Sequence, residues 1–396
     1  MAYQDSLFYR NFLKEQGKDI DNLSEWEDVP IIQKKDMVMA KWPVVLPKYC
    51  ALQGEGKLFR EFTSGSTGQC LEIYWSKRDS TLSLLPLWLY RRKYYGINTA
   101  DRFCYFYTLH NPYGDEPPCE VNDNSMGFSK MNLTQARLEE IYQQMYDYDP
   151  VWLMLQPSIA IQLARYIFSG EAPLLPSLRY VELTGEMLTA ENKRFLEAAF
   201  ECPCANQYGS YEVNSMAYEC PAGHLHVMEG NVYLEIIKDV RAAPEGEEGE
   251  IVVTSLRNRV MPFIRYNIGD YGKVETCQCP YHQEGKVLTL TRGRKNDLIF
   301  CPDGEYIHAY ELIRPFGCIS ERLDGRIFQY QLEQTEYDKF TVHIVTDERA
   351  EDIEAIFYET LQNKYLKGCD YTFVYHDSLL PEERTGKLRL LKSLIK

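Results

Sequence analysis

The sequence contains nothing close to the roughly 20 consecutive apolar residues that a bilayer-spanning helix requires. Its nearest approach, Leu82–Tyr90, is interrupted by Pro86. The opening MAYQDSLFYRNFLKEQ lacks the basic-then-apolar order of a secretory signal, and a soluble, cytoplasmic protein is expected. Basic charge is short: 43 Lys and Arg stand against 58 Asp and Glu, a net charge of −15 and a pI near 5.1. Such a surface repels phosphate backbones. That argues against general nucleic-acid binding and still permits a local pocket for one nucleotide. Internal repeats and low-complexity tracts are also missing, and without an export signal the 12 cysteines read as thiols and not as a disulfide framework.

What is present is ordinary globular material: 396 residues, 45% apolar and 26% charged, enough for two or three domains or one large domain with an appendage. Cys50, Cys104, Cys318 and Cys369 read as small core hydrophobes. Cys202-Pro203-Cys204, and Cys220 with Cys277-Gln278-Cys279, stand out by spacing. Tyrosine is frequent, with 30 residues, several of them crowded between Tyr90 and Tyr107. Half-buried strands and core edges account for this most simply, and an aromatic-lined pocket is the alternative.

Helices and loops fill the first sixty residues, Leu71–Trp75 alternates like a strand, and residues 79–95 carry apolar positions at helical spacing. Asn111–Asp123, with Pro112, Gly114, Pro117 and Pro118, reads as a long loop. Thr134 and Thr189 each open a helix. Between 230 and 300 the period falls to two, with strands at Val232–Ile237 and Ile251–Ser255 around the turn-rich Pro244–Gly249. After about 297 strands are expected near 327–335, 340–346 and 371–376. A helix over 351–366 would place Ile353, Ile356, Phe357, Leu361 and Tyr365 on one face.

Several short stretches could carry chemistry. Thr63-Ser64-Gly65-Ser66-Thr67-Gly68 packs hydroxyls and glycines beside a strand, a composition that can turn N–H and O–H donors toward an anion. No Gly-Lys-Ser/Thr ends it, so it is not a Walker A loop. Tyr208-Gly209-Ser210-Tyr211-Glu212 offers a ring that could stack on a base and a carboxylate that could hold Mg²⁺. Arg265–Asp270 ends in a carboxylate able to accept ribose hydroxyls. Arg292-Gly293-Arg294 adds a forked cation, and Arg384–Arg389 places Lys387 on a Gly-containing turn.

In this order and at these separations the set resembles the adenylate-forming superfamily, acyl-CoA synthetase-like and AMP-binding. More narrowly it resembles the branch containing phenylacetate–CoA ligase, coenzyme F390 synthetase and the capsule-biosynthesis adenylating proteins. Tyr9–Pro43, Leu183-Thr184-Gly185-Glu186 and Gly249–Leu256 leading to Arg265 fit the same pattern, so the resemblance spans nearly the whole chain. It implies α/β and α+β architecture. A large N-terminal domain over 1–296, with α/β subdomains and a β-rich part, would bind ATP and acid. A small, mobile C-terminal α+β domain over 297–396 would carry the catalytic lysine.

The resemblance also implies roles. Thr63, Ser64, Gly65, Ser66, Thr67 and Gly68 would hold the β- and γ-phosphates of ATP. Tyr208 would pack on adenine within Tyr208–Tyr211, and Gly185 and Glu186 would belong to the nucleotide site. Glu212 would coordinate Mg²⁺, Asp270 and Arg294 would hold the ribose, Lys387 would reach the α-phosphate and acyl oxygen, and Asn296 would be the hinge. The chain departs from the pattern at Tyr211, where a Thr is usual, at Gln69-Cys70 where many relatives have Pro, and at the hinge Asn. The inventory suits the chemistry. An ionised carboxylate needs no general base, only relief from the repulsion of a polyanionic triphosphate and in-line placement at the α-phosphorus. The expected reaction is acyl-AMP formation with release of pyrophosphate, then transfer to coenzyme A or, alternatively, to an amine.

Cys220 and His226 with Cys277 and Cys279 form a candidate structural Zn²⁺ set, with His224 as an alternative ligand. Four strong ligands leave no open position for water, which disfavours a catalytic zinc hydrolase. A nucleotide-binding but inactive relative is disfavoured by the presence of Lys387 and Glu212. Trp88, Tyr105, Tyr107 and Trp152 would suit a flat aromatic acid. The branch is often dimeric, so a homodimer is an expectation that no apolar stripe in the sequence locates.

Overall fold

The computed structural model describes residues 5–18, 23, 25–63, 71–107, 119–129, 135–186, 188, 190–292, 298–303, 306–308, 310–322, 327–346, 349–376 and 391–395. Two compact units emerge, one from residues 1–63, 71–98 and 205–294, the other mainly from 99–204 and 295–396. Among the described residues no helix is long and apolar enough to cross a membrane.

The first unit is β-rich. Its strands run in the spatial order Arg241–Ala242, Val232–Lys238, Gly249–Ser255, Tyr266–Cys279, His282–Arg292, Leu225–Val227, Asn214–Glu219 and Cys204–Ser210, each antiparallel to its neighbour. The period-two pattern is realised at Val232–Lys238, where Val232, Leu234 and Ile236 point inward and Tyr233 outward. Helix Leu7–Glu15 adds Phe8, Tyr9, Phe12 and Leu13 to this core. The Tyr9 hydroxyl donates to Pro262 O (2.7 Å) and accepts from Ile264 N (3.0 Å). Helix Lys77–Tyr95 starts at Ser76, whose hydroxyl caps Asp79 N, and ends at Gly96 with φ 68°.

Arg265, in the left-handed region at φ 47°, is a structural residue. Its guanidinium pairs with Glu235 (Nη2 to Oε1 3.2 Å, Nε to Oε2 3.3 Å), and Nη1 donates to Glu27 O and Val29 O. The two side chains are 3% and 8% exposed. Removing one partner of such a pair strands a buried charge. Arg265→Met is therefore expected to lower stability by about 3–5 kcal/mol, read as a shifted urea midpoint.

The second unit holds a parallel sheet in the order Tyr180–Thr184, Trp152–Leu155, Phe103–Tyr107, Ser125–Ser129, with Cys119–Val121 as an antiparallel edge. Its strands are buried nearly throughout, as sheets sandwiched by helices are. Helices Gln135–Tyr148, Pro157–Phe168 and Ala190–Phe200 supply Leu138, Ile141, Ile159, Leu163 and Leu196 to the core. The next described strands after Phe103–Tyr107, Cys119–Val121 and then Ser125–Ser129, lie on one side of it. The connection leaving Trp152–Leu155 runs to Tyr180–Thr184 on the other. The C-terminal residues form a four-stranded sheet, Asp370–Tyr375, Lys339–Thr346, Ile327–Glu336 and Leu391–Ser393. Helices Tyr310–Arg322 and Ala350–Thr360 pack there, with Phe316 stacked on Tyr330 at 4.0 Å between ring centres.

Three expectations change. The helix read over 351–366 is two helices, Ala350–Thr360 and Lys364–Lys367, because the Asn363 side chain accepts from Tyr365 N and Leu366 N and starts a new one. Cys50 is exposed at the head of the short helix Cys50–Gly54, whereas Cys104, Cys318 and Cys369 are buried as expected. Cys119–Val121 is a strand inside the stretch read as a loop over 111–123. The described cysteines are all free thiols.

Candidate active site

The hairpin Cys204–Ser210/Asn214–Glu219 presents the Tyr208–Glu212 motif. Its turn is fixed from several directions. Trp75 Nε1 donates to Tyr211 O at 2.9 Å, and Asn214, at φ 59°, donates from Nδ2 to Ser83 Oγ at 2.6 Å. Gly209 is required by close approach, since a Cβ there would meet Asn214 O at 2.6 Å.

Two contacts join this hairpin to the strand that begins at Tyr266. The Tyr208 hydroxyl donates to Asp270 Oδ2 at 2.8 Å, and the Tyr266 hydroxyl donates to Glu212 Oε1 at 3.0 Å. Glu212 and Tyr266 are both buried, and the carboxylate is oriented through Oε1 by the Tyr266 hydroxyl. Gly269, at φ 82° and with its N–H donating to Asn267 Oδ1, turns the chain to present Asp270. Ser210 Oγ is withdrawn from solvent with no hydrogen-bond partner among the described residues. Tyr211, the residue that departs from the family pattern, is exposed.

Thr63 closes the base of the Gly/Ser/Thr loop. Its N–H donates to Leu71 O (3.0 Å), and its Oγ1 accepts from Leu71 N (2.8 Å). Ser64, Gly65, Ser66, Thr67 and Gly68 lie outside the described residues, as do Arg294, Asn296 and Lys387. In the other unit Gly185, exposed at φ 83°, and half-buried Glu186 follow strand Tyr180–Thr184.

The same unit as Tyr208 contains a second constellation. Ligand atoms of Cys220, His224, His226 and Cys279 all lie within 4.8 Å of one another. The turn Cys220–His224 is closed by Cys220 N to His224 O (3.0 Å) and Gly223 N to Cys220 O (2.8 Å). His224 and His226, two residues apart at the start of strand Leu225–Val227, share a side of the chain. Cys220 Sγ and Cys279 Sγ are 3.6 Å apart, and burial raises the Cys220 pKa. Two thiols and two imidazoles match the donor set of a closed Zn²⁺ site.

Three of the ligands expected from spacing, Cys220, His226 and Cys279, lie in this group with the alternative His224. Cys277 stands beside it, its Sγ 3.9 Å from His224 Nδ1. A register shift between Cys277 and Cys279 breaks the two-residue alternation that would have aimed both thiols alike. Cys202 and Cys204 belong to the hydrophobic core, as read, and burial pushes the Cys202 thiol up to about 12. The tyrosine crowd divides. Tyr90, Tyr94, Tyr95 and Tyr218 stack and edge-pack next to the Cys/His group, while Trp152 is core, stacked on Phe103 at 4.4 Å.

Residues 299–394 match the family model described as CapK C-terminal domain. Protein CapK of Staphylococcus aureus is 22% identical over 99% of this chain and 86% of its own length. The phenylacetate–coenzyme A ligase of Thermus thermophilus is 25% identical over 75% of this chain and 68% of its own length. Among solved structures, 2-hydroxyisobutyryl-CoA ligase in its thioesterification state matches with a TM-score of 0.62 at 16% identity, covering 99% of this chain and 86% of that one. That last similarity is one of fold.

Proposed function

We propose that this chain, a relative of CapK and phenylacetate–coenzyme A ligase with the fold of the adenylate-forming enzymes, activates a carboxylic acid with ATP and passes the acyl group to coenzyme A. A carboxylate oxygen bonds to the α-phosphorus as the bond from that phosphorus to the bridging oxygen breaks, and pyrophosphate leaves with the electron pair. In the second step the coenzyme A sulfur bonds to the acyl carbonyl carbon. The bond from that carbon to AMP breaks, and the thiol proton passes to water.

One observation supports this reading above the rest: motif residues 62 and 54 positions apart in sequence meet as Tyr208–Asp270 and Tyr266–Glu212. In this reading Tyr208 packs on the base, Asp270 and Arg294 take the ribose hydroxyls, and Gly185 and Glu186 line the nucleotide site. Thr63–Gly68 donate to the outer phosphates, and Lys387, carried by residues 297–396, neutralises the α-phosphate as charge builds there. Glu212, a buried carboxylate oriented by Tyr266, suits a hard cation. Mg²⁺ bound there would offset the triphosphate charge. The Cys220, His224, His226 and Cys279 group would hold a structural Zn²⁺ away from the chemistry. Reduced thiols fit a cytoplasmic location.

The test is pyrophosphate exchange into ATP with a panel of aryl, arylacetic, fatty and amino acids, followed by addition of coenzyme A or amines. Exchange with at least one acid, and thioester on adding coenzyme A, is the expected result. An amide in place of the thioester would reassign the acceptor, and no exchange with any acid would remove the reading.

A further inference from the structure

We propose that Gln156 reads a hydrogen-bond donor on the bound small molecule, its side-chain amide accepting an N–H or O–H from the activated acid or from the nucleotide base. Gln156 directly follows strand Trp152–Leu155 and precedes helix Pro157–Phe168. At this position a polar side chain ordinarily caps the helix, yet Gln156 makes no capping bond. Its Oε1 is instead withdrawn from solvent with no hydrogen-bond partner among the described residues. A buried acceptor of this kind is rare in a settled structure, and a ligand donor would supply what the protein does not.

The topology gives the same location. The next described strands after Phe103–Tyr107 and after Trp152–Leu155 lie on opposite sides of this pair in the sheet. Open parallel sheets bind ligands at the carboxyl ends of strands around such a reversal, and Gln156 stands at the carboxyl end of Trp152–Leu155. Gly185 follows the neighbouring strand in a left-handed conformation, φ 83°. A Cβ on it would stand 3.8 Å from Gln156 Cγ, an ordinary contact distance, so Gly185 and Gln156 are neighbours at this end of the sheet.

The inference rests on the adenylation reading for its choice of ligands, and the test separates the two. Binding is measured by calorimetry, with no turnover required, on wild type, Gln156→Leu and Gln156→Glu. One arm compares acids with and without a hydroxyl or amino group: 2-hydroxy acids and ring-substituted aryl acids against their unsubstituted partners. The other arm compares ATP with purine riboside triphosphate, which lacks the exocyclic amine. The expected result is a preference for the donor-bearing member of about ten- to a hundredfold in one arm, which identifies the source. Gln156→Leu should abolish it and Gln156→Glu, which keeps an acceptor, should retain it.

Gln156→Leu should melt at or above the wild-type temperature, because it removes an unsatisfied polar group. No donor preference in either arm, a preference that survives Gln156→Leu, or a Gln156→Leu protein that melts well below wild type would each overturn the proposal. Absence of pyrophosphate exchange would instead count against adenylation alone.

Discussion

Lys387→Ala should lower acid-dependent pyrophosphate exchange by about a hundredfold to a thousandfold, the usual effect of deleting one preorganised donor at a developing charge. The reason is electrostatic. An anionic acid approaches an anionic triphosphate, and the chain is acidic overall, with a net charge of −15, so a cation at the α-phosphate has to be supplied locally. The effect should fall on kcat more than on the KM for ATP, because the charge at the α-phosphorus grows toward the transition state while the base and ribose contacts are made in the ground state. Thioester formation from supplied acyl-AMP should change far less, since that step moves no charge onto the triphosphate. Lys387→Arg should restore little, because a planar fork does not replace a compact ammonium at one oxygen. Equal loss in both half-reactions would point to a folding defect, and full retention would remove Lys387 from the chemistry.

The second large effect concerns metal. Protein purified without added zinc is expected to carry one Zn²⁺ per chain. Cys220→Ser or His226→Ala should lose it and unfold at a temperature lower by about 5 °C, as a loss of roughly 4 kcal/mol would produce. The ion would tie the turn Cys220–His224 to Cys279 at the end of the long strand Tyr266–Cys279. Because thiolate and neutral imidazole are the binding forms, zinc affinity should fall as pH falls through the ligands' titration. Cys277→Ser separates the set read from spacing from the set built by the fold: with His224 as the fourth ligand, this variant keeps its metal. Loss of zinc on Cys277→Ser, with retention on His224→Ala, would restore the set Cys220, His226, Cys277 and Cys279. Both contents are read by mass spectrometry under native conditions.

Between these outcomes lies a lesson about what a linear chain discloses. Local periodicity is legible: alternation at Val232–Lys238 and helical spacing over Lys77–Tyr95 both appear where the pattern requires them. Breaks set by a single side chain are harder, and the Asn363 cap that divides the helix after Thr360 looks in sequence like one more polar face residue. The motif order placed Tyr208, Glu212 and Asp270 in one site. It gave no hint that Tyr266, sitting inside a quoted motif, would orient Glu212, since that contact spans 54 residues and depends on strand register. The Cys/His group is the same lesson: spacing brings Cys220, His226 and Cys279 forward, and the fold adds His224 beside them. Spacing counts residues, whereas a register shift decides which way a thiol faces. The aromatic residues show why composition alone misleads, with Trp152 filling core and Tyr94 packing near thiols.

Positioning by Tyr266 is itself measurable. Tyr266→Phe frees Glu212 Oε1 and should raise the Mg²⁺ concentration needed for half-maximal exchange about five- to tenfold, in keeping with one lost hydrogen bond to a charged group. Saturating Mg²⁺ should return most of the rate, which a general packing defect would not allow.

The central claim is that the acid attacks the α-phosphorus. Single turnover with an ¹⁸O-labelled carboxylate, ATP and coenzyme A reads this directly by mass spectrometry of the products. The account predicts one ¹⁸O in AMP and none in pyrophosphate. Label in inorganic phosphate, or AMP free of label while thioester accumulates, would contradict it.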